Sequence, residues 1–271
     1  MRRTCDLYTD RRLFVPCRTV QLGKFMKIDL NSDMGEGFGR WTVADDDGLM
    51  NVISSANIAC GYHAGDYAIM DRTVRLAKER GVAIGAHPGL PDLIGFGRRN
   101  MAVSDADMEA MLACQIGALQ GIAARYGHRV THVSYHAAFG NMANADEARA
   151  MRLVRVIASL DRELTVFSMP GQPTARAAEK LGLRVRTLFL ADRAYTAAGE
   201  LVPRGEPGAV IHDLDGVRAR VRQFIREGTV TTIGGDVIAV DARAILVHSD
   251  TPGSVELARA VRAEIDTSEA A

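Results

Sequence analysis

The fold class that this sequence predicts is α/β, a barrel of parallel strands wrapped by helices, and three observations lead to it. Seven short apolar runs alternate with longer helical patterns from residue 26 onward, and parallel strands need helical crossovers to return the chain to the same end of a sheet. Those seven strand-helix units occupy about 240 residues, near the span of a single barrel domain. No Pro/Gly/Ser-rich linker, low-complexity tract or internal repeat divides the segment. An open doubly wound sheet is the alternative arrangement for the same alternation.

The strands are expected at Met26–Leu30, Ala56–Cys60, Val82–Ala86, His132–Tyr135, Leu164–Ser168, Val185–Leu190 and Ala244–Val247, each a short apolar run next to turn-forming residues. Helices are expected between and after them. Asp66–Arg80 sets Ile69, Thr73, Val74, Leu76 and Ala77 near one face, and Ser104–Tyr126 repeats Met108, Met111, Leu112, Ile116, Leu119 and Ile122 at steps of three and four. Ser104 opens the second as a side-chain cap. Asp45–Ser54, Ala145–Leu160, Pro173–Leu181, Asp213–Glu227 and Thr251–Ile265 complete the set, with Pro252 suited to a first helical turn. Residues 1–25 carry five arginines and no sustained period, so they read as an N-terminal extension. The barrel domain is placed at 26–265 and a short C-terminal tail at 266–271.

Composition narrows the function classes. An apolar share of 47% and a charged share of 24% are those of a globular chain and argue against wholesale disorder. Thirty-three basic residues balance thirty-three acidic ones, so no global field favours nucleic acid or an anionic membrane surface. Cys5, Cys17, Cys60 and Cys114 form no C-x-x-C pair or secreted framework, and no apolar run suggests a membrane span. A cytoplasmic protein with no membrane and no nucleic-acid partner is the expectation.

Histidines follow the strand ends with regularity: His63, His87, His136 and His248 each come just after a separate run. In a barrel those ends open on one mouth, where such folds place their chemistry. The first strand adds Asp29, Asn31 and Asp33, with Glu36 just beyond, and period-two alternation sends Asp29 and Asn31 to the same face. A carboxylate inside a barrel needs a histidine, an amide or a cation beside it. Arg98 and Arg99 in the loop after the third strand, and Arg193 beside Asp192 after the sixth, are forks suited to carboxylate or phosphate, although surface ion pairs explain them equally well. Gly35, Gly37 and Gly39 lack the order of a phosphate loop. Clustered His and Asp residues suit an open hydrolytic metal site, for which Asp29, His63 and His87 are the expected ligands, yet no short metal-binding motif is present. Neither the serines nor Cys60 and Cys114 carry a nucleophile pattern.

Five blocks, Asp29-Leu-Asn-Ser-Asp-Met-Gly-Glu-Gly-Phe-Gly39, Ala56-Asn-Ile-Ala-Cys-Gly-Tyr-His-Ala-Gly-Asp66, Gly81-Val-Ala-Ile-Gly-Ala-His-Pro-Gly-Leu-Pro-Asp92, Gly95-Phe-Gly-Arg-Arg99 and Val247-His-Ser-Asp-Thr-Pro252, together resemble the LamB/YcsF family. The resemblance implies a distorted seven-stranded (β/α) barrel of the glycoside hydrolase/deacetylase type. It also implies hydrolytic, ATP-dependent opening of the lactam 5-oxoproline to L-glutamate, with Mg2+ accompanying ATP and with two partner subunits, B and C. Carried onto this chain, the motifs make Asp29, His63, His87, His136 and His248 the catalytic candidates. Asn31, Asp33, Glu36, Asn57, Asp66, Arg98, Arg99, Asn141, Asp192, Arg193 and Asp250 are the candidates for substrate binding. Asp29 or His63 would act as base for water, with the other histidines as acid, orienting or electrostatic groups.

The chain departs from the family pattern at two blocks: Lys-Pro-His-Gly-Ala-Leu-Tyr-Asn is Ser134-Tyr-His-Ala-Ala-Phe-Gly-Asn141 here, so a lysine is lost while His136 and Asn141 remain, and His-Gly-Asp-Thr-Pro is His248-Ser-Asp-Thr-Pro252, so Ser249 adds a side chain near the expected mouth. Two other readings stay open: a metal-assisted amidase or deacetylase working without ATP, with Asp29, His63 and His87 around one cation, and, motivated by the lost lysine, a non-catalytic barrel used for binding or assembly. The extension offers no periodic apolar face to bury. A chain beginning at Met26 is therefore expected to match the full chain in melting temperature and activity; a loss of many degrees would show that residues 1–25 pack on the barrel.

Overall fold

The computed structural model describes residues 28–270; the N-terminal extension, with Met26 and Lys27 of the expected first strand, lies outside the described residues. In chain order the elements are β1 (Asp29–Met34), α1 (Asp46–Met50), β2 (Ser55–Ala59), α2 (Tyr67–Arg80), β3 (Ala83–His87), α3 (Asp105–Arg125), β4 (Val130–Ser134), α4 (Ala137–Asn144) and α5 (Glu147–Leu160). They continue with β5 (Thr165–Ser168), α6 (Pro173–Lys180), β6 (Val185–Leu190), α7 (Leu214–Glu227), β7 (Thr229–Thr231), β8 (Val237–Ala239), β9 (Ala244–Val247) and α8 (Ser254–Glu269). Seven strands close a barrel in the order β1-β2-β3-β4-β5-β6-β9, and every pairing around it is parallel. The open doubly wound alternative is thereby excluded. An antiparallel hairpin of β7 and β8 stands apart from the barrel.

The β7–β8 hairpin has no counterpart among the expected strands, α1 stops at Met50 short of the expected Ser54, and three further elements differ for identifiable reasons. β1 runs to Met34, because its inward residues are polar and the apolar signal fades at Leu30 while the ladder continues, with Asp33 and Met34 opposite Asn57 and Ile58. Helix α4 has no counterpart among the expected elements; its buried Ala138, Phe139 and Ala143 make too short a stripe to reveal a period. Helix α8 extends to Glu269, so residues 266–269 continue a helix in place of the expected tail, its buried stripe ending at Ile265.

Strand alternation divides the side chains into two layers. Leu30, Ile58, Ile84, Val133, Val166, Phe189 and Ile245 face outward and join the apolar stripes of the helices in one large core. Inside the barrel the two sides differ. Asn31, Ser55, Asn57 and Asp33 from β1 and β2 are hydrogen-bonded to one another, and the His132 Nε2 atom from β4 lies 3.0 Å from Asn57 Oδ1. On the opposite side Phe167, Leu188, Leu190, Ala244 and Leu246 form a separate apolar cluster. Buried polar groups are stable only in such paired sets, so the polar wall comes as a network and the apolar wall as a packed patch.

Ala137 sits at φ +34°, in the left-handed region where a Cβ is disfavoured. It follows His136 directly and begins α4. Ala137→Gly relieves that strain at some cost in chain entropy, so it is expected to stabilise the protein by roughly 0.5–1 kcal/mol. Thermal unfolding should show a rise of about 2 °C; an unchanged or lower melting temperature would mean that the backbone there is unstrained.

Candidate functional site

The C-terminal ends of β1, β2, β3 and β4 bring Glu36, His63, His87 and His136 together. One ligand atom from each lies within 4.8 Å of all the others, and all four residues are buried. Glu36 Oε1 is 3.2 Å from His63 Nε2, 3.4 Å from His136 Nδ1 and 3.9 Å from His87 Nε2. Asp33 closes the group from below, with Oδ1 at 3.4 Å from His87 Nε2 and accepting from Asn57 Nδ2 at 2.9 Å. His63 and His136 stack with ring centroids 3.8 Å apart.

Proton positions follow from the partners. His87 Nδ1 faces the Ser134 carbonyl at 2.7 Å and His136 Nε2 faces the Phe96 carbonyl at 2.8 Å. A carbonyl oxygen only accepts, so each of these nitrogens carries the hydrogen. The other two nitrogens, His87 Nε2 and His136 Nδ1, are 3.0 Å apart. In neutral imidazoles both present lone pairs, which repel unless a cation or a proton lies between them.

Burial, and then the neighbouring positive groups, push His63 and His136 well below the ordinary histidine pKa, while burial followed by the nearby Asp33 and Asp250 charges raises Glu36 well above the carboxylate range. Neutral imidazole lone pairs converging beside carboxylates are a donor set that can hold a metal ion, which would return Glu36 to its ionised form.

Local backbone devices hold this geometry. Phe96 aims its carbonyl at His136 from φ +53°, an uncommon conformation for a bulky residue, and its ring meets His63 and His136 edge-on. Gly97, at φ +62°, lies so close that a Cβ there would stand 2.6 Å from His63 Cβ and 2.9 Å from His136 Cδ2. Ser249 Oγ donates to Glu36 Oε2 at 3.2 Å.

A second charged centre stands at the end of β9. His248 Nδ1 is 2.9 Å from both oxygens of Asp192, and Thr251 Oγ1 donates to Asp192 Oδ2 at 3.2 Å. Burial works against the His248 imidazolium, but the Asp192 carboxylate outweighs it and the pKa is raised. His248, His87, His136 and Asp33 line one cavity of about 570 Å³ together with the apolar Phe167, Leu188, Leu190 and Leu246.

The structure brings four of the five expected catalytic residues to this mouth, and it separates the fifth. Asp29 starts β1 and so lies at the N-terminal end of the barrel, where it accepts from Ser55 Oγ at 2.7 Å and from Arg186 Nη1 at 3.2 Å. The expected metal set of Asp29, His63 and His87 is corrected accordingly: Glu36 and His136 stand with the two histidines. Asn31 and Asn57 lie in the polar ladder beneath, and Asn141 lines the cavity. Asp66 is a helix cap, accepting from Ala68 and Ile69 N–H at 2.8 and 2.9 Å. Arg99 is tied to Asp92 near the surface, and Arg98 reaches Asp250 at 2.5 Å beside the cavity. Arg193 lines the cavity, yet its Nε and Nη2 donate to the carbonyls of Ala209 and Val202 at 3.2 and 2.6 Å.

Sequence reading missed Ser249 and Thr251 as partners of the acids, and it missed the Phe96 carbonyl, whose only trace is its position between Gly95 and Gly97. It also passed over His132, which burial first, then the Arg186 and His87 charges, lower to about 3. Cys60, pushed up to about 12 by burial, is no nucleophile.

Zn2+ serves as a probe of the cluster. At about a hundredfold excess over its dissociation constant, a bound ion stabilises the fold by about 2.7 kcal/mol, so the melting temperature should rise by several degrees. His87→Ala and His136→Ala should abolish the rise and Asp29→Asn should keep it; the reverse pattern would return the site to Asp29.

Comparison with known proteins agrees with the block-by-block resemblance. The chain is 61% identical over 241 residues to the 5-oxoprolinase A subunit of Pectobacterium atrosepticum, covering 89% of this chain and 94% of that one. It is 58% identical, with the same coverage, to a 5-oxoprolinase A subunit of Bradyrhizobium diazoefficiens. Its fold superposes on the crystal structure of a lactam utilization protein from Thermus thermophilus with a TM-score of 0.84 at 39% identity, covering 89% of this chain and 97% of that one. The sequence profile of the LamB/YcsF family matches residues 28–271, and this chain belongs to that family.

Proposed function

We propose that this chain is the barrel subunit of an ATP-dependent 5-oxoprolinase, a hydrolase that opens 5-oxoproline to L-glutamate together with partner subunits B and C in the cytoplasm. One observation carries the reading beyond the names of its relatives. A single cavity of about 570 Å³ is lined by the acceptor-rich group of Asp33, His87 and His136 and by His248, whose pKa burial lowers but the Asp192 carboxylate raises overall. Hydrolysis of an amide needs both: a group that takes a proton from water and a group that gives one to the departing nitrogen.

Asp33 is the base this geometry favours, since it lines the cavity and Asn57 fixes its orientation. His63, pushed well below the ordinary range by burial, and Asp29, at the other end of the barrel, are poorer bases. His248 donates its Nδ1 hydrogen to Asp192, which leaves Nε2–H as the acid for the lactam nitrogen. A divalent cation held by Glu36, His63, His87 and His136 would polarise the carbonyl oxygen and ease deprotonation of water. ATP, with Mg2+, supplies the activation that a poorly electrophilic lactam requires. The family lysine position is Ser134, whose carbonyl orients His87 while the residue lines the same cavity as Arg98, Arg193 and Arg204.

Glutamate release from 5-oxoproline is expected only when this chain, subunits B and C and ATP are all present. Turnover of amides by this chain alone without ATP would favour the metal-assisted amidase instead, a reading supported by a donor cluster complete within one chain. In the full system His248→Gln should lower kcat by about 100-fold or more. The acid must be protonated, so kcat falls as pH rises through the raised His248 value. Asp192→Asn removes the charge that raises it and should move that alkaline limb to lower pH; an unmoved limb would remove His248 from the acid role.

A further inference from the structure

The chain between β6 and α7 leaves the barrel wall as an arch that contributes to the cavity lining. Its path is fixed from within. Arg193 and Val210 form an isolated bridge, as do Tyr195 and Leu201, and the Tyr195 hydroxyl accepts from the Leu190 N–H at 2.9 Å. The Arg193 guanidinium spans the arch by donating to Val202 and Ala209, and Arg220 Nη2 holds the Arg193 carbonyl at 2.8 Å. Leu201, Val202, Pro203 and Arg204 then line the cavity in succession. A long loop tied down this thoroughly is a built feature, since an unconstrained loop of that length would be mobile.

Three arginines line the cavity, and two are committed. Arg98 is paired with Asp250, and Arg193 is engaged by the carbonyls of its own arch. Arg204 has no hydrogen-bond or ion-pair partner among the described residues, yet it is half-buried at the cavity wall. The acids nearby are engaged elsewhere: Asp192 with His248 and Thr251, and Asp33 with Asn57 and His87. The cavity thus combines an apolar floor, an acid-base pair and one uncommitted guanidinium.

We propose that Arg204 is the recognition site for a carboxylate, forming a two-pronged pair with the carboxylate of the substrate while the substrate ring lies over Phe167, Leu188 and Leu246. The assignment rests on the 5-oxoprolinase reading, and it names a residue that fixes substrate class: lactams bearing an anionic group beside the ring. Guanidinium and carboxylate match in plane and spacing, and a partly desolvated pair of this kind discriminates strongly against the uncharged analogue. Arg193 is then a positioning residue that holds the arch on which Arg204 stands.

The test compares 5-oxoproline with 2-pyrrolidinone, the same lactam without its carboxylate. In the assembled enzyme with ATP, Arg204→Ala should raise KM for 5-oxoproline roughly 10- to 100-fold with kcat changed by about twofold or less, and Arg204→Lys should recover part of the loss. Calorimetry on the isolated chain should show the same loss of 5-oxoproline affinity, while weak 2-pyrrolidinone binding stays equal in both proteins. Unchanged KM, absence of 5-oxoproline binding, or equal weakening toward both lactams would overturn the assignment. Binding that depends on Arg204 without any turnover would overturn the 5-oxoprolinase reading and leave the carboxylate site standing.

Discussion

Two imidazole nitrogens, one from the end of β3 and one following β4, face each other at 3.0 Å with their hydrogens held on the far sides by backbone carbonyls. Most of the mouth is arranged around that constraint. It requires Phe96 in a left-handed conformation, a glycine beside it, and the stacking of His63 on His136. Asp33 and Glu36 stand beside these nitrogens, and the convergent lone pairs and carboxyl oxygens form one electron-rich pocket that suits a positive charge. Separately, each group would be an unstable choice for a buried position; together they make a donor set.

The division of the barrel interior places this chemistry on one side. The polar wall of β1 and β2, joined by His132 of β4, supports Asp33 through Asn57, so that a substrate-facing carboxylate is fixed by a neutral amide beneath it. The opposite wall offers Phe167, Leu188, Leu190 and Leu246, against which the carbons of a small ring can be desolvated. A cavity with one apolar wall and few oriented polar groups gives both binding and orientation. The His248–Asp192 pair belongs to the third sector, where β9 meets β6 and β1 and closes the barrel. Barrel closure, the pairing of β1 with β9, is therefore what brings base and acid to one cavity.

Loops complete what the strands begin. The β3–α3 loop contributes Phe96, Gly97 and Arg98, held through His136 and Asp250, and the arch after β6 contributes Arg204, held by the bonds of Arg193 within its own segment. Among the described residues no helix is long and apolar enough to cross a membrane. The charge of the mouth comes from these local placements, since the chain as a whole is neutral.

By itself the sequence determined the alternation of seven strand-like runs with helices, the family, and the gathering of His63, His87, His136 and His248 at strand ends, because each is written in short-range periodicity or contiguous motifs. It did not determine the phase of β1. A few residues of shift along one strand decide that Asp29 lies at the N-terminal end of the barrel while Asp33 and Glu36 reach the mouth, and a strand with polar inward residues carries no apolar run to mark where it ends. Nor could it separate Arg193 from Arg204, since a guanidinium takes its role from its partners. For the residues of the mouth those partners come from far along the chain, and only the closed barrel brings them within hydrogen-bonding distance.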